Sequence, residues 1–359
     1  MWTDGFNRAG SARPRGKRPR VAALWLLAAA CACLWGCPAG GGDGKTEASA
    51  VCVELVELAP THAPEPTPAP EPTPDAALEP FTIAWFGDTQ SYASTYPEQF
   101  DAMTRWVVEN RDALGIRYVI HTGDIVNKPE VQAEWDAAYA ALSRFSGVLP
   151  FFSVAGNHDL VGMLTQTGHD YSRYAELMEA LGLADTPELG GRDETWRRRY
   201  DLVTVGHDAF IFIGTGYQLS LDDYEWLNEI LAQYADRTAV LIVHEYLDFD
   251  GVPRGDGRHL YRKVVMKNPN VKYVLCGHRH RVQHVIQEVD ENADRVADRS
   301  VYALMNDYQG YENGGGGYLV LLTFDPKLRE IRVTSYSPVL NDYNYFEDET
   351  IETYTLPYL

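Results

Sequence analysis

The chain has 359 residues, 45% of them apolar and 23% charged, so it can build a sizeable core in one large domain or two medium ones. Its formal net charge of -20 disfavours a nucleic-acid groove, and we expect no nucleic acid among its partners. Five cysteines, three of them within the first 37 residues, are too few for a disulfide framework. The other two, Cys52 and Cys276, either pair or stay free. The apolar run around Cys276 favours the free thiol, and we expect a monomer.

The first 37 residues are predicted to be an export signal. Six basic side chains and one acid occupy the first twenty residues and precede an uncharged apolar run, 21–35, that is short for a membrane span. The end of this run resembles a bacterial lipoprotein signal, in which Cys37 would carry the lipid anchor to the membrane. Trp35 departs from the small residue usual at that place. The alternative is a plain cleaved signal in which Cys37 is incidental.

Residues 38–80 are predicted to be a disordered linker, rich first in glycine and then in proline. The stretch 61–80 cannot pack and favours extended polyproline II, at about 3.1 Å per residue. From Cys37 the tether would span on the order of 100 Å. It would carry a folded domain away from a membrane surface. We therefore expect an extracytoplasmic protein of the cell envelope, either lipid-anchored or secreted.

The folded part is predicted to be one α/β domain over residues 81–340. Short runs rich in Val, Ile and aromatic residues alternate with segments of helical spacing, among them 98–110, 132–145 and a helix capped by Ser220. After Val301 the pattern is rich in strands, which predicts antiparallel strands at the end of the sheet. Residues 341–359 are predicted to be a tail packed on the domain.

Five of the apolar runs end in side chains that can bind metal ions. In open α/β sheets, ligands bind just beyond the carboxyl ends of strands, so five neighbouring strands would bring these side chains to one crevice. Carboxylate, amide oxygen and imidazole suit Mn, Fe or Zn, and one carboxylate can bridge two ions about 3.5–4 Å apart. In chain order the side chains are Asp88, Gln90, Asp124, Asn157, His158, His244, His278 and His280.

The motif order Asp-x-Gln, Gly-Asp, Gly-Asn-His-Asp, His, Gly-His-x-His resembles the calcineurin-like metallophosphoesterase superfamily, whose pattern usually begins Asp-x-His. The match covers residues 81 to about 281, and Asp-Thr-Gln is similar to a variant in secreted bacterial lipoproteins. The resemblance implies a two-sheet β-sandwich flanked by helices, with a dinuclear metal site at the carboxyl ends of strands. It also implies two divalent ions (Mn, Fe or Zn) and hydrolysis of small phosphomonoesters or phosphodiesters.

The resemblance further implies a role for each matching residue. His158 would bind no metal; it would protonate the leaving-group oxygen or stabilise the charge developing on phosphorus. A hydroxide bridging both ions would attack in line. The first metal would be held by Asp88, Gln90, Asp124 and His280, with Asp124 bridging to the second. The second metal would be completed by Asn157, His244 and His278.

Two positions depart from the family pattern. Gln90 stands in place of a His, and a neutral amide oxygen is the weaker ligand. Asn127 stands where some family phosphatases have an Asp that orients the catalytic His, and Asn cannot balance imidazolium charge. Asp159 either compensates or satisfies backbone donors in its loop. Lys128 and Asn306 are candidates for contact with substrate, the alternatives being a solvated lysine and a glycine-rich hairpin.

Two rival functions stay open. One is a lipoprotein that binds metal or a phosphate ligand with impaired catalysis, motivated by Gln90 and Asn127. The other is a nuclease, which the acidic composition and the export signal disfavour. The sequence does not select among nucleotides, sugar phosphates and lipid head groups as the substrate.

Overall fold

Two seven-stranded sheets form the centre of the protein in a computed structural model that describes residues 79–163 and 169–358. The predicted export signal, Cys37, Cys52 and all but two residues of the predicted linker lie outside the described residues. The strands are, in chain order, β1 (Phe81–Phe86), β2 (Ile116–His121), β3 (Phe151–Ser153), β4 (Leu189–Arg192), β5 (Arg198–Val205), β6 (Asp208–Thr215), β7 (Thr238–Val243), β8 (Val271–Cys276), β9 (Val282–Val289), β10 (Arg299–Asn306), β11 (Leu319–Asp325), β12 (Glu330–Ser337), β13 (Asp342–Tyr343) and β14 (Tyr354–Pro357).

Helices cover the outer faces of both sheets. Those of the described residues are α1 (Gln90–Thr95), α2 (Pro97–Glu109), α3 (Gln132–Leu142), α4 (Ser172–Ala180), α5 (Leu221–Gln233) and α6 (Asp256–Lys263). The predicted cap of α5 is confirmed: Asp223 N donates to Ser220 Oγ at 3.3 Å, and Ser220 N donates to Asp223 Oδ2 at 2.7 Å. None of the described helices is long and apolar enough to cross a membrane.

Each sheet contains a block of parallel strands. The first sheet has the order β13-β12-β11-β1-β2-β3, with β14 also paired to β12, and β1, β2 and β3 are parallel. The second has the order β4-β5-β6-β7-β8-β10-β9, with β6, β7, β8 and β10 parallel. The strands β11 and β12, after Val301, are antiparallel as predicted.

Alternation along β1 shows how the layers form. Phe81, Ile83 and Trp85 lie in the core between the two sheets, whereas Ala84 and Phe86 lie in the core beneath α1 to α4. Successive side chains of a strand point to opposite faces, so an apolar strand such as β1 packs on both sides. A third core lies between the second sheet and the helices α5 and α6. The predicted two-sheet β-sandwich flanked by helices is confirmed.

Residues 341–358, expected as a tail packed on the domain, contribute β13 and β14 to the first sheet. The buried carboxylate of Glu352 holds this segment. It accepts hydrogen bonds from Tyr308 Oη, Ser335 Oγ and the backbone N–H of Tyr345. A buried carboxylate with several donors avoids the cost of an unpaired charge, so the segment is bound to the domain by polar contacts as well as by strand pairing.

Candidate metal centre

The parallel blocks of the two sheets bring their carboxyl ends to one rim. His278 N, after β8, donates to Asp88 Oδ2, after β1, at 3.1 Å. His244 Nδ1, after β7, lies 2.9 Å from the carbonyl oxygen of Thr122, after β2. Strand ends far apart in the chain therefore form the single crevice that the strand-end motifs predicted.

Three polar atoms surround His244 Nε2. Asn157 Oδ1 and His278 Nδ1 each lie 3.1 Å from it, and Asp124 Oδ2 lies 3.3 Å from it. Among the described residues, Asp124, His244 and His278 form one group whose ligand atoms all lie within 4.8 Å of one another. Carboxylate, amide oxygen and two imidazoles at this spacing form a donor set for a divalent transition metal. This group is the second-metal half of the predicted centre.

Hydrogen bonds orient these side chains, and the charges of Asp124 and His244 balance each other. A carbonyl oxygen only accepts, so His244 Nδ1 carries a proton for Thr122 and Nε2 is the nitrogen left for a metal. Burial lowers the pKa of His244, but Asp124 outweighs it and raises that pKa to about 9. Burial likewise raises the pKa of Asp124, but His244 lowers it to about 2. Burial, and then His244, lower the pKa of His278 to about 3, which leaves it neutral.

Three candidate ligands have strained backbone. Asp124, His278 and His280 have φ angles of 55°, 76° and 49°, in the left-handed region that non-glycine residues rarely adopt. Each such conformation costs on the order of 1–3 kcal/mol and persists only where the surrounding structure holds it. Around Asp124 the fit is close: a Cβ on Gly156 would lie 2.2 Å from Asp124 Oδ1. Of the eleven non-glycine residues with positive φ among the described residues, three are therefore predicted ligands.

Asp159 satisfies backbone donors, which decides between its two predicted roles. Its Oδ1 accepts from the N–H groups of Ile125 at 2.8 Å and Val126 at 3.1 Å, and its Oδ2 accepts from that of Gly156 at 2.8 Å. Burial raises the pKa of Asp159 to about 7. The carboxylate ties the loop of Asp124 to the loop of Asn157, and so sets the spacing between two candidate ligands.

His158 is oriented by a main-chain carbonyl. The Asn127 side chain stands where some family phosphatases have the orienting Asp, but His158 Nδ1 lies 2.8 Å from the Asn127 backbone oxygen. Nδ1 therefore carries the proton, and Nε2 is the ring nitrogen left for proton transfer. Glu134 Oε2 accepts from the N–H groups of Asn127 at 2.7 Å and Lys128 at 2.8 Å, and so holds the carbonyl in place. The Lys128 side chain is exposed.

Among the described residues, the first-metal half does not form a close group of ligand atoms as the second does. Asp88 is buried, and burial, followed by Asp307 and Asp124, raises its pKa well above the usual value. Gln90, the first residue of α1, is only 4% exposed, and its Oε1 has no hydrogen-bond partner among the described residues. An unsatisfied buried acceptor costs about 1–3 kcal/mol, so this oxygen fits a metal ligand. His280 is exposed apart from its backbone contacts.

Asn306 is placed against a strand. Its Nδ2 donates to the backbone oxygen of Trp85 at 3.1 Å, which ties the end of β10 to β1. The motif pattern predicted no role for Asp307, the residue that follows, or for Glu134. It also missed Tyr217, whose ring centroid lies 5.8 Å from that of His244. Asp307 had a detectable signal, since it follows an apolar strand as the other candidate ligands do.

Comparison with known proteins agrees with this geometry. A family model described as calcineurin-like phosphoesterase matches residues 81–282, more than half of the chain. The uncharacterized protein YvnB of Bacillus subtilis is 36% identical over 279 residues, which is 76% of this chain and 21% of YvnB. The chain thus spans about a fifth of the length of this curated relative.

Two solved structures are more distant. The purple acid phosphatase PPD1 of yellow lupin (Lupinus luteus) is 15% identical, with a TM-score of 0.48, covering 78% of this chain and 54% of that one. GAP50, the anchor in the inner membrane complex of Plasmodium, is 13% identical, with a TM-score of 0.47. The match covers 77% of this chain and 89% of GAP50. By its motif order, its strand-end cluster and the match to the family model, the chain belongs to the calcineurin-like phosphoesterase family, whose members use divalent metal ions.

Proposed function

We propose that this protein is a metal-dependent phosphoesterase that acts outside the cytoplasm and hydrolyses small phosphomonoesters or phosphodiesters. The observation that carries the proposal is the convergence of Asp124, Asn157 and His278 on His244 Nε2. Membership of the phosphoesterase family supports ester hydrolysis, and the donor set supports divalent ions.

The residues present fit two ions. Asp124 would be shared by both, because its two oxygens face different neighbours: Oδ1 accepts from His158 N, after β3, and Oδ2 lies 3.3 Å from His244 Nε2, after β7. When bound, the ions supply Lewis acidity, which acidifies a water and neutralises charge on the phosphoryl oxygens. The remaining ligands of the first ion would be Asp88, Gln90 and His280. Those of the second would be Asn157, His244 and His278.

His158 would protonate the leaving-group oxygen. Its backbone N–H donates to Asp124 Oδ1 at 2.8 Å, which fixes the residue beside the shared carboxylate. Because Nδ1 is bound to the Asn127 carbonyl, Nε2 is the atom that transfers the proton. An alkoxide leaves poorly without a proton, so this step matters most for esters of weakly acidic alcohols.

The test is a panel of phosphate esters assayed with Mn, Fe, Zn and Mg on purified protein that has been stripped by a chelator. The stripped protein should be inactive, and at least one of the ions should restore turnover of a monoester or diester. Full turnover in protein shown to be free of metal would contradict the proposal.

The second candidate function is a lipoprotein that binds metal or a phosphate ligand with impaired catalysis. Gln90 favours it, because its neutral amide stands where the family has an imidazole. The orientation of His158 Nδ1 by a carbonyl also favours it, because a neutral carbonyl stabilises an imidazolium ion less than a carboxylate at that nitrogen would. Bound metal without turnover of any ester in the panel would select this alternative.

The location outside the cytoplasm is supported by the sequence of the first eighty residues. A Cys37→Ala chain should take up no labelled fatty acid and should appear in the soluble fraction. The parent chain serves as the control. If the parent also takes up no label, a plain secretory signal replaces the lipoprotein signal. Label that persists in the variant would move the lipid to Cys31 or Cys33.

A further inference from the structure

Asp307 is a buried carboxylate that the family motifs leave without a role. It follows β10, one of the parallel strands whose carboxyl ends form the rim, and its side chain is fully buried. Its Oδ2 accepts from the N–H of His280 at 2.6 Å, and its Oδ1 accepts from the N–H of Gln309 at 3.0 Å. The carboxylate therefore lies directly against a predicted ligand of the first metal.

Asp307 also contacts Asp88. The two carboxyl groups lie within hydrogen-bonding distance of each other, and both are buried. Ionised carboxylates only accept hydrogen bonds, so two of them in buried contact require a proton or a cation between them. The positive charge that acts most on Asp307 is that of His280, which is itself a predicted ligand of the first metal. The pair is therefore a place where positive charge is needed.

Asp88 and Asp307 also hold, through hydrogen bonds, the turn that carries His278 and His280. Asp88 accepts from the N–H of His278, as Asp307 does from that of His280, and both histidines have left-handed backbone. The loop after Asp307 packs closely here, since a Cβ on Gly310 would lie 2.6 Å from His280 Cβ.

The loop after Asp307 also reaches the start of α1. Gln309 Nε2 donates to Ser91 Oγ at 3.1 Å, and Ser91 directly follows Gln90. Asp307 thus lies among the strand ends and loops that carry the three candidate ligands particular to the first metal.

We propose that Asp307 is a carboxylate of the first metal site, beside Asp88, Gln90 and His280. The assignment rests on the metal centre of the proposed function and deepens it. A second terminal carboxylate together with an amide oxygen makes this site richer in oxygen and more anionic than the family pattern, in which an imidazole replaces the amide. Oxygen donors suit harder ions, so the first site should prefer Mn²⁺ or Mg²⁺ to Zn²⁺.

The test is the Asp307→Asn variant of the full chain, with Mn²⁺ as the probe. Asn keeps the size of the side chain and one oxygen acceptor, but it removes the charge. Metal analysis after dialysis should find two Mn²⁺ in the parent and one in the variant. Calorimetric titration should show the first site weakened at least about tenfold and the second site unchanged. Asp236→Asn, at an exposed carboxylate far along the chain, should behave as the parent.

Thermal unfolding in a chelator separates this role from simple support of the turn. Without metal, Asp307→Asn should be at least as stable as the parent, because an amide can donate to Asp88 where a carboxylate repels it. The rise in Tm on adding Mn²⁺ should be smaller in the variant. If Asp307→Asn binds two ions with the parent's affinity, the assignment of Asp307 as a ligand is wrong, but the proposed metal centre stands. A parent that binds no Mn²⁺ would overturn the proposed metal centre as well.

Discussion

The two halves of the candidate metal centre differ in how they balance charge in the absence of an ion. In the second half, Asp124 is matched by His244, and His278 and Asn157 lie within hydrogen-bonding distance of the same ring nitrogen. In the first half, Asp88 contacts another carboxylate, and the amide oxygen of Gln90 has no partner. Imidazoles can hold a proton where an ion would bind, whereas carboxylates and an amide oxygen cannot do so without cost.

The second half is closer to the arrangement that binds a metal ion. The second half has its ligand atoms already close together, and the far nitrogen of His244 is fixed by the Thr122 carbonyl. Outer hydrogen bonds of this kind orient ligands and raise metal affinity. The first half contains an exposed His280 and repelling carboxylates. We therefore expect the second ion to bind more tightly than the first.

The largest effect should come from removing the carboxylate that both halves share. Asp124→Ala should lose both ions and all measurable phosphoesterase activity, because its carboxylate is the ligand that both ions would share. Metal analysis beside the activity assay checks this, with unfolding followed by circular dichroism as the control for the fold. A variant that keeps two ions would contradict the shared role.

His158→Ala should leave both halves loaded and affect only proton transfer. We expect two ions per chain and a kcat lowered roughly 10²–10⁴-fold for esters of weakly acidic alcohols. For esters whose leaving groups need no proton, kcat should fall far less. If the variant loses metal in place of turnover, His158 is a ligand and its assignment as the acid is wrong.

Gln90 tests the first half directly. Gln90→Ala should lose one ion and most activity while keeping the fold, roughly a 10–100-fold drop. Gln90→His should tighten the first ion and shift the preference from Mn towards Zn or Fe, because imidazole is the softer ligand. The number of metal ions bound per chain in the two variants shows whether Gln90 is a ligand. Two ions with full turnover in Gln90→Ala would mean that this oxygen is not a ligand.

The smallest effect should come from Glu134, which acts on His158 through the backbone. Glu134→Ala leaves the N–H groups of Asn127 and Lys128 unsatisfied, so we expect kcat to fall about tenfold, or ~1.4 kcal/mol in the barrier. The loss should be larger for poor leaving groups than for good ones, and Glu134→Gln should restore part of it. Asp136→Ala, on the exposed face of the same helix, is the matched control. Equal losses for all leaving groups would mark Glu134 as merely structural.

The sequence predicted the strands and the motifs at their ends because both depend on local patterns. An apolar run such as β1 shows in the chain without reference to any other segment, and so does the placement of Asp88 directly after it. Parallel strands collect such ends at one edge, so the motifs predicted a common crevice before any contact was known. The helix that begins after Ser220 was predicted for the same reason, from a cap and a regular spacing.

Contacts of backbone atoms and contacts between distant segments could be read only from the folded protein. Three such contacts leave no pattern in the chain: the three backbone N–H groups that donate to Asp159, the carbonyl that orients His158, and the contact of Asp307 with Asp88. A backbone N–H or C=O is the same at nearly every residue, so the sequence does not show which of them a side chain will meet. The sequence therefore left open whether Asp159 orients the His158 ring or accepts from backbone N–H groups, and the positions of the loops after β2 and β3 answer this. Local patterns along the chain therefore predict which side chains reach the rim, whereas the contacts between folded loops determine which of them are oriented, paired or left unsatisfied there.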